Sequence, residues 1–190
     1  MTVQYANKRL SAYFKTICET ARDAHAKYLK SPHAVIHRPT TKANDFNDLW
    51  FAELVNALDQ VDGIVPVFDR RKNLRFIRIP GRIPIHLWLK KIDNTYHSSN
   101  LQTRNARRLE SGLQLEMFAS AFILTLGYLI NRDGTGIDRV SITPPCGKRK
   151  LKPEWAIDLT LSKNVANISV VAPSSVQVKI TKFEQRKLGS

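Results

Sequence analysis

The chain has 190 residues, 43% hydrophobic and 24% charged, a composition that excludes a disordered or fibrous protein. Its length suits one domain over residues 1–190, with enough core to fold without a metal or a disulfide. Thirty Lys and Arg against sixteen Asp and Glu give a net charge of +14, which points to a polyanionic partner. The longest apolar run, about residues 118–130, is well short of the roughly 20 residues that span a bilayer. Polar residues directly after Met1 leave no apolar signal core. The expected location is therefore cytoplasmic or nucleoid-associated, not secreted.

Residues 4–30 read as one long helix. Leu10, Phe14, Ile17, Ala21 and Tyr28 recur at helical spacing, and Pro32 ends it. A second helix is expected over about 45–60, capped by Asn44 or Asp45, with Phe46, Leu49, Trp50, Leu54, Val55 and Leu58 on its buried face. Gly63 is a plausible stop. The two helices are expected to pack as an antiparallel pair, forming a helical subregion over 1–62.

From residue 63 to 182 the texture becomes β-rich. Residues 64–68 and 74–79 read as a hairpin whose tip is Asp69-Arg70-Arg71-Lys72-Asn73. Pro80-Gly81 breaks the chain. Residues 84–93 read as a strand, with Ile85, Leu87 and Leu89 on one face and His86, Trp88 and Lys90 on the other. A short helix over about 101–110, capped by Ser99 or Asn100, is expected next. Residues 113–130 suit a buried strand or a buried helix. Gly127, the β-branched residues and the turn at 131–136 favour a long hairpin with 140–143. Residues 155–161, 165–171 and 176–180 read as further short strands, and 183–190 as a flexible tail. Helices followed by strands indicate an α+β fold: an N-terminal helical pair, then a mainly antiparallel sheet with one short inserted helix.

The positive charge is concentrated. Residues 1–69 carry eight basic and eight acidic residues, net zero. Residues 70–108 carry eleven basic residues and one acid, Asp93, net +10. Eight of the eleven are Arg, whose planar fork suits bidentate phosphate contacts. Arg70, Arg71, Lys72, Arg75, Lys90 and Lys91 are candidate nucleic-acid contacts from this segment. Ser99, Asn100, Gln102, Arg104, Asn105, Arg107 and Arg108 form a second group. As a helix, it would align Arg104 with Arg108 and point its free N–H groups at a phosphate. Gln102 and Asn105 could read base edges. Phe76, Trp88 and Tyr96 could stack on bases if exposed, though core packing is the commoner fate of Phe76 and Trp88.

Catalytic signatures are sparse. Acidic residues after position 70 do not cluster in a metal-binding spacing, so no metal or other cofactor is expected. His86 and His97 are the weak acid–base candidates, for a metal-independent nuclease that would use Arg or Lys to stabilise a phosphorane. There is no CxxC pair, so a zinc framework is absent. Cys146 stands in a Pro-Pro-Cys-Gly turn with no His or Asn beside it in sequence, and reads as a bystander thiol. The leading expectation is a DNA- or RNA-binding protein without evident catalysis. The rivals are an interaction subunit docking an acidic protein and a nuclease-type toxin or defence effector.

Overall fold

The computed structural model describes residues 1–32, 34, 36–61, 63–69, 74–98, 121–146, 152–161 and 176–182. Three helices, α1 (Val3–Leu10), α2 (Phe14–Lys30) and α3 (Pro39–Leu58), precede seven strands. These are β1 (Val65–Asp69), β2 (Leu74–Ile79), β3 (Ile85–Lys91), β4 (Phe122–Ile130), β5 (Ile137–Thr143), β6 (Trp155–Leu161) and β7 (Val176–Lys182). The strands form one sheet in sequence order, β1 through β7. Every neighbouring pair is antiparallel except β3 and β4, which run parallel.

The apolar stripe of the N-terminal segment is buried along its length: Val3, Ala6, Leu10, Phe14, Ile17, Ala21, Ala24 and Tyr28. The single expected helix is divided, however, by a 3-10 turn at Ser11–Tyr13. Helix α2 stops at Lys30, because Ser31 is extended (ψ 133°), as a residue before proline prefers. Helix α3 starts six residues before the expected Asp45. Pro39 occupies its first turn, where the missing N–H costs nothing and φ is already helical.

The helices pack with one face of the sheet. Ile77, Ile79, Ile85, Leu87, Leu89, Leu124, Leu126, Tyr128, Val140, Ile142, Trp155, Ile157 and Leu159 join them in the main core. Phe46 of α3 meets the Tyr128 ring at 4.4 Å, and Trp50 meets it at 5.7 Å. The Tyr128 hydroxyl donates to the Ala43 carbonyl at 3.2 Å, tying α3 to β4. The opposite sheet face carries two smaller apolar clusters. One is Leu74, Phe76, Trp88 and Ala121; the other is Ile92, Tyr96 and Ala156.

The β1–β2 hairpin and the alternation of β3 follow the sequence pattern. The sheet is mixed rather than uniformly antiparallel, since β3 and β4 run side by side. Strand β4 begins at Phe122 and pairs with β5 as a hairpin through the 131–136 turn. Gly134 takes φ +77° there, and Gly136 N–H donates to the Asn131 side chain at 3.0 Å. The expected helix at 101–110, residues 113–120, the strand at 165–171 and the tail at 183–190 lie outside the described residues.

Candidate functional site

Two regions of the described structure bear on the residues singled out in the sequence. The first is one end of the sheet. The antiparallel order β1–β2–β3 brings the end of β1 (Asp69), the start of β2 (Leu74) and the end of β3 (Lys90, Lys91) to the same side. Ser98, the last described residue before 99–120, is bridged to Ile92 just beyond that strand end. Lys90 and Lys91 are half-buried there, and Lys90 Nζ sits 4.0 Å from the centre of the Trp88 ring. Arg75 is committed to α3. Its guanidinium bonds Asp48 and lies over the Phe51 ring, 5.4 Å from its centre. Arg78 and Arg82 are exposed; Arg82 belongs to the β2–β3 connection, at the opposite end. Arg70, Arg71 and Lys72 lie outside the described residues, as do Ser99, Asn100, Gln102, Arg104, Asn105, Arg107 and Arg108. Phe76, Trp88 and Tyr96 are buried, at 0%, 4% and 9% exposure, so none offers an open stacking face.

The second region is the turn that follows β3. Asp93 organises it through one carboxylate oxygen. That oxygen accepts from Thr95 N–H at 2.7 Å, from the Thr95 hydroxyl at 2.6 Å and from His97 N–H at 3.1 Å. Burial pushes the Asp93 carboxyl up, but the bonds from Thr95 and His97 and the nearby His97 ring outweigh it, holding the group below its ordinary range. Asp93 N–H donates to the His97 carbonyl and Tyr96 N–H to the Asp93 carbonyl, which closes the turn. Tyr96 takes φ +67°, a left-handed conformation unfavourable for a large side chain. Its ring packs in the cluster with Ile92 and Ala156, and its hydroxyl donates to Asp158 of β6 at 2.8 Å. Burial and the Asp158 contact push that phenol up to about 12, against the opposing pull of Arg139. Arg139 lies over the same ring at 4.9 Å.

The turn presents His97 to a distant residue. His97 Nδ1 is 2.8 Å from Thr95 Oγ1, and Nε2 is 3.5 Å from Cys146 Sγ. No His stands beside Cys146 in sequence, as expected, yet the fold supplies one. The partner is 49 residues away in sequence and meets it only when the chain beyond β5 folds back to the 93–97 turn. Asp93 and Thr95 were also missed as site residues. Their Asp-x-Thr spacing is a local turn signature and could have been read, whereas nothing in the sequence around Cys146 points to position 97.

His86 does not join this group. It lies at the start of β3, about 17 Å of extended strand from Lys91. It is 6% exposed, with the Phe76 ring 5.9 Å away. Burial, helped by Arg78, lowers its pKa to about 4, so the ring is neutral near pH 7. Cys18 and Cys146 are both free thiols.

Among the described residues, no group of three or more His, Cys, Asp or Glu is arranged to hold a metal ion. Among them, no helix is long and apolar enough to cross a membrane. No family model matches the chain, and no curated protein or solved structure matches it.

Proposed function

We propose that the chain binds nucleic acid through the Arg-rich segment 70–108. The observation that carries this reading is the charge distribution: net +10 in residues 70–108 against zero in residues 1–69. A one-sign concentration of this kind raises the local potential and recruits phosphates, whereas mixed charge would only solvate. The sheet order supports it. The described ends of β1 and β2, which flank residues 70–72 in sequence, stand at the same end of the sheet as Lys90, Lys91 and Ser98. Burial of Phe76, Trp88 and Tyr96 takes these three rings out of base stacking, and the reading rests on phosphate contacts for most of the affinity. Binding is then expected to be steeply salt-dependent and tolerant of sequence.

Fluorescence anisotropy with single-stranded DNA, duplex DNA and RNA across a salt series tests this. Six phosphate contacts would lower affinity about 10³-fold between 50 and 200 mM salt. The triple variant Arg104→Ala, Arg107→Ala, Arg108→Ala should weaken binding at least about tenfold and flatten the slope, by roughly one unit per lost contact. Arg75→Ala should change affinity less than about twofold, because Asp48 already occupies that guanidinium. Absence of binding to all three polymers at about 50 mM salt would overturn the reading and turn attention to an acidic protein partner.

A further inference from the structure

The proton inventory of the 93–97 turn gives it a direction. The Thr95 hydroxyl has one proton and two neighbours. Asp93 is ionised and can only accept, so the hydroxyl proton points to its oxygen at 2.6 Å. The 2.8 Å contact to His97 must then be donated by the ring, as Nδ1–H to Thr95 Oγ1. That fixes the tautomer. In the neutral ring Nε2 then carries the lone pair and faces Cys146 Sγ at 3.5 Å, where it can accept from the thiol. A proton that leaves the sulfur would produce an imidazolium stabilised by Asp93 through Thr95, the same logic that orients a catalytic histidine.

We propose that Cys146 is a nucleophilic thiol, activated by His97 and oriented through Thr95 and Asp93, that exchanges with the disulfides of small thiol compounds. In the step, the Cys146 proton passes to His97 Nε2 and the thiolate attacks one sulfur of the disulfide. A new S–S bond forms to Cys146, the old S–S bond breaks, and the departing thiolate takes the proton from His97. Cys146 is oxidised and one half of the disulfide is reduced, so protons and electrons balance. Exchange needs only a thiolate, a proton donor and an in-line sulfur. The contact between the Cys146 thiol and the His97 ring supplies the first two. Among the described residues, Asp158 on β6 and Arg139 on β5 face Tyr96 of the same turn: Asp158 accepts from its hydroxyl and Arg139 lies over its ring. Cys18 is an internal contrast. Both thiols are buried, Cys18 at 3% and Cys146 at 5% exposure, so the contrast lies in the neighbour: Cys146 faces the His97 ring, whereas at Cys18 burial, with a smaller push from Glu19 against the pull of Arg22, drives the thiol up to about 12.

The inference is independent of nucleic-acid binding and is tested on the full chain. 5,5′-Dithiobis(2-nitrobenzoate) is followed by thiolate release between pH 5.5 and 9, and peptide mass spectrometry locates the adduct. The expected result is a mixed disulfide at Cys146, not at Cys18, with a rate nearly flat above about pH 7. A thiol activated by an imidazole is expected to react several-fold faster at about pH 6.5 than an ordinary thiol, after its lower intrinsic nucleophilicity is counted. His97→Gln should remove that advantage and restore the rising profile of an ordinary thiol. Cys146→Ser should abolish the adduct. A folded protein that gives no adduct at Cys146 overturns the proposal. So does a wild-type profile inflecting near pH 8.5, a result that does not depend on any variant folding.

Discussion

His86 is a basic group stored in a place that rejects its charge. Its pKa is about 4 in the folded chain against 6.5 when free. Above pH 6.5 both folded and unfolded forms are neutral, and the full stability is present. As pH falls from 6.5 towards 4, the unfolded chain takes up a proton that the folded chain refuses, so stability drops, by at most about 3 kcal/mol. Below 4 both forms are charged and the loss levels off. Urea unfolding at pH 7 and pH 4.5 should therefore show a larger decrease for the native chain than for His86→Gln. His25, also lowered by burial, contributes with the same sign in both proteins and cancels in the comparison. Gly127 illustrates a steric constraint instead. A Cβ there would stand 2.9 Å from two carbons of Ile92 and 3.1 Å from Ser141 Oγ. Gly127→Ala should therefore destabilise the fold by about 1–3 kcal/mol, by pushing the 92–98 turn off the sheet. A melting temperature equal to the native chain's would show that Ile92 can move aside.

Helices α2 and α3 are joined by a buried polar contact as well as by apolar packing. Trp50, fully buried on α3, donates its indole N–H to Thr20 Oγ1 of α2 at 3.2 Å. The Thr20 hydroxyl passes its own proton to the Thr16 carbonyl at 2.8 Å. Thr20→Val keeps the shape but leaves the indole N–H without its acceptor, at a cost of about 1–3 kcal/mol. For a chain of this size that is about 3 °C in Tm per kcal/mol, readable in a thermal melt. The ion pair of Lys27 with Glu53 between the same helices, at 2.6 Å, is half exposed on the lysine side and should matter much less. Within the elements the sequence was easy to read. The Leu10–Tyr28 stripe, the β1–β2 hairpin and the alternation of β3 each repeat with the period of the structure they adopt, and a period survives without tertiary context. Boundaries were less legible. Position 39 starts α3 because Pro is favoured in a first helical turn, a signal present in the sequence but overshadowed by the Asn44-Asp45 pair.

At the scale of the whole molecule, the sheet sorts the residues into two faces. Helices cover one; the other carries the Asp93–His97 turn, the aromatic clusters and the polar side chains of β5 and β6. A salt series belongs to this scale, because it reads the summed charge of a surface rather than any one side chain. If residues 70–108 bind phosphates as proposed, a slope of several units with little sequence preference is the expected result. The sequence by itself determined the α+β class, the strand and helix periodicities and the concentration of charge in residues 70–108, since each depends on neighbours along the chain. Only the tertiary structure decided that β3 and β4 are parallel, that Arg75 is taken by Asp48, and that His97 meets Cys146. Those facts join positions 27 to 49 residues apart. Such contacts are set by how the strands pair and how the loops cross the sheet, and no local pattern encodes them.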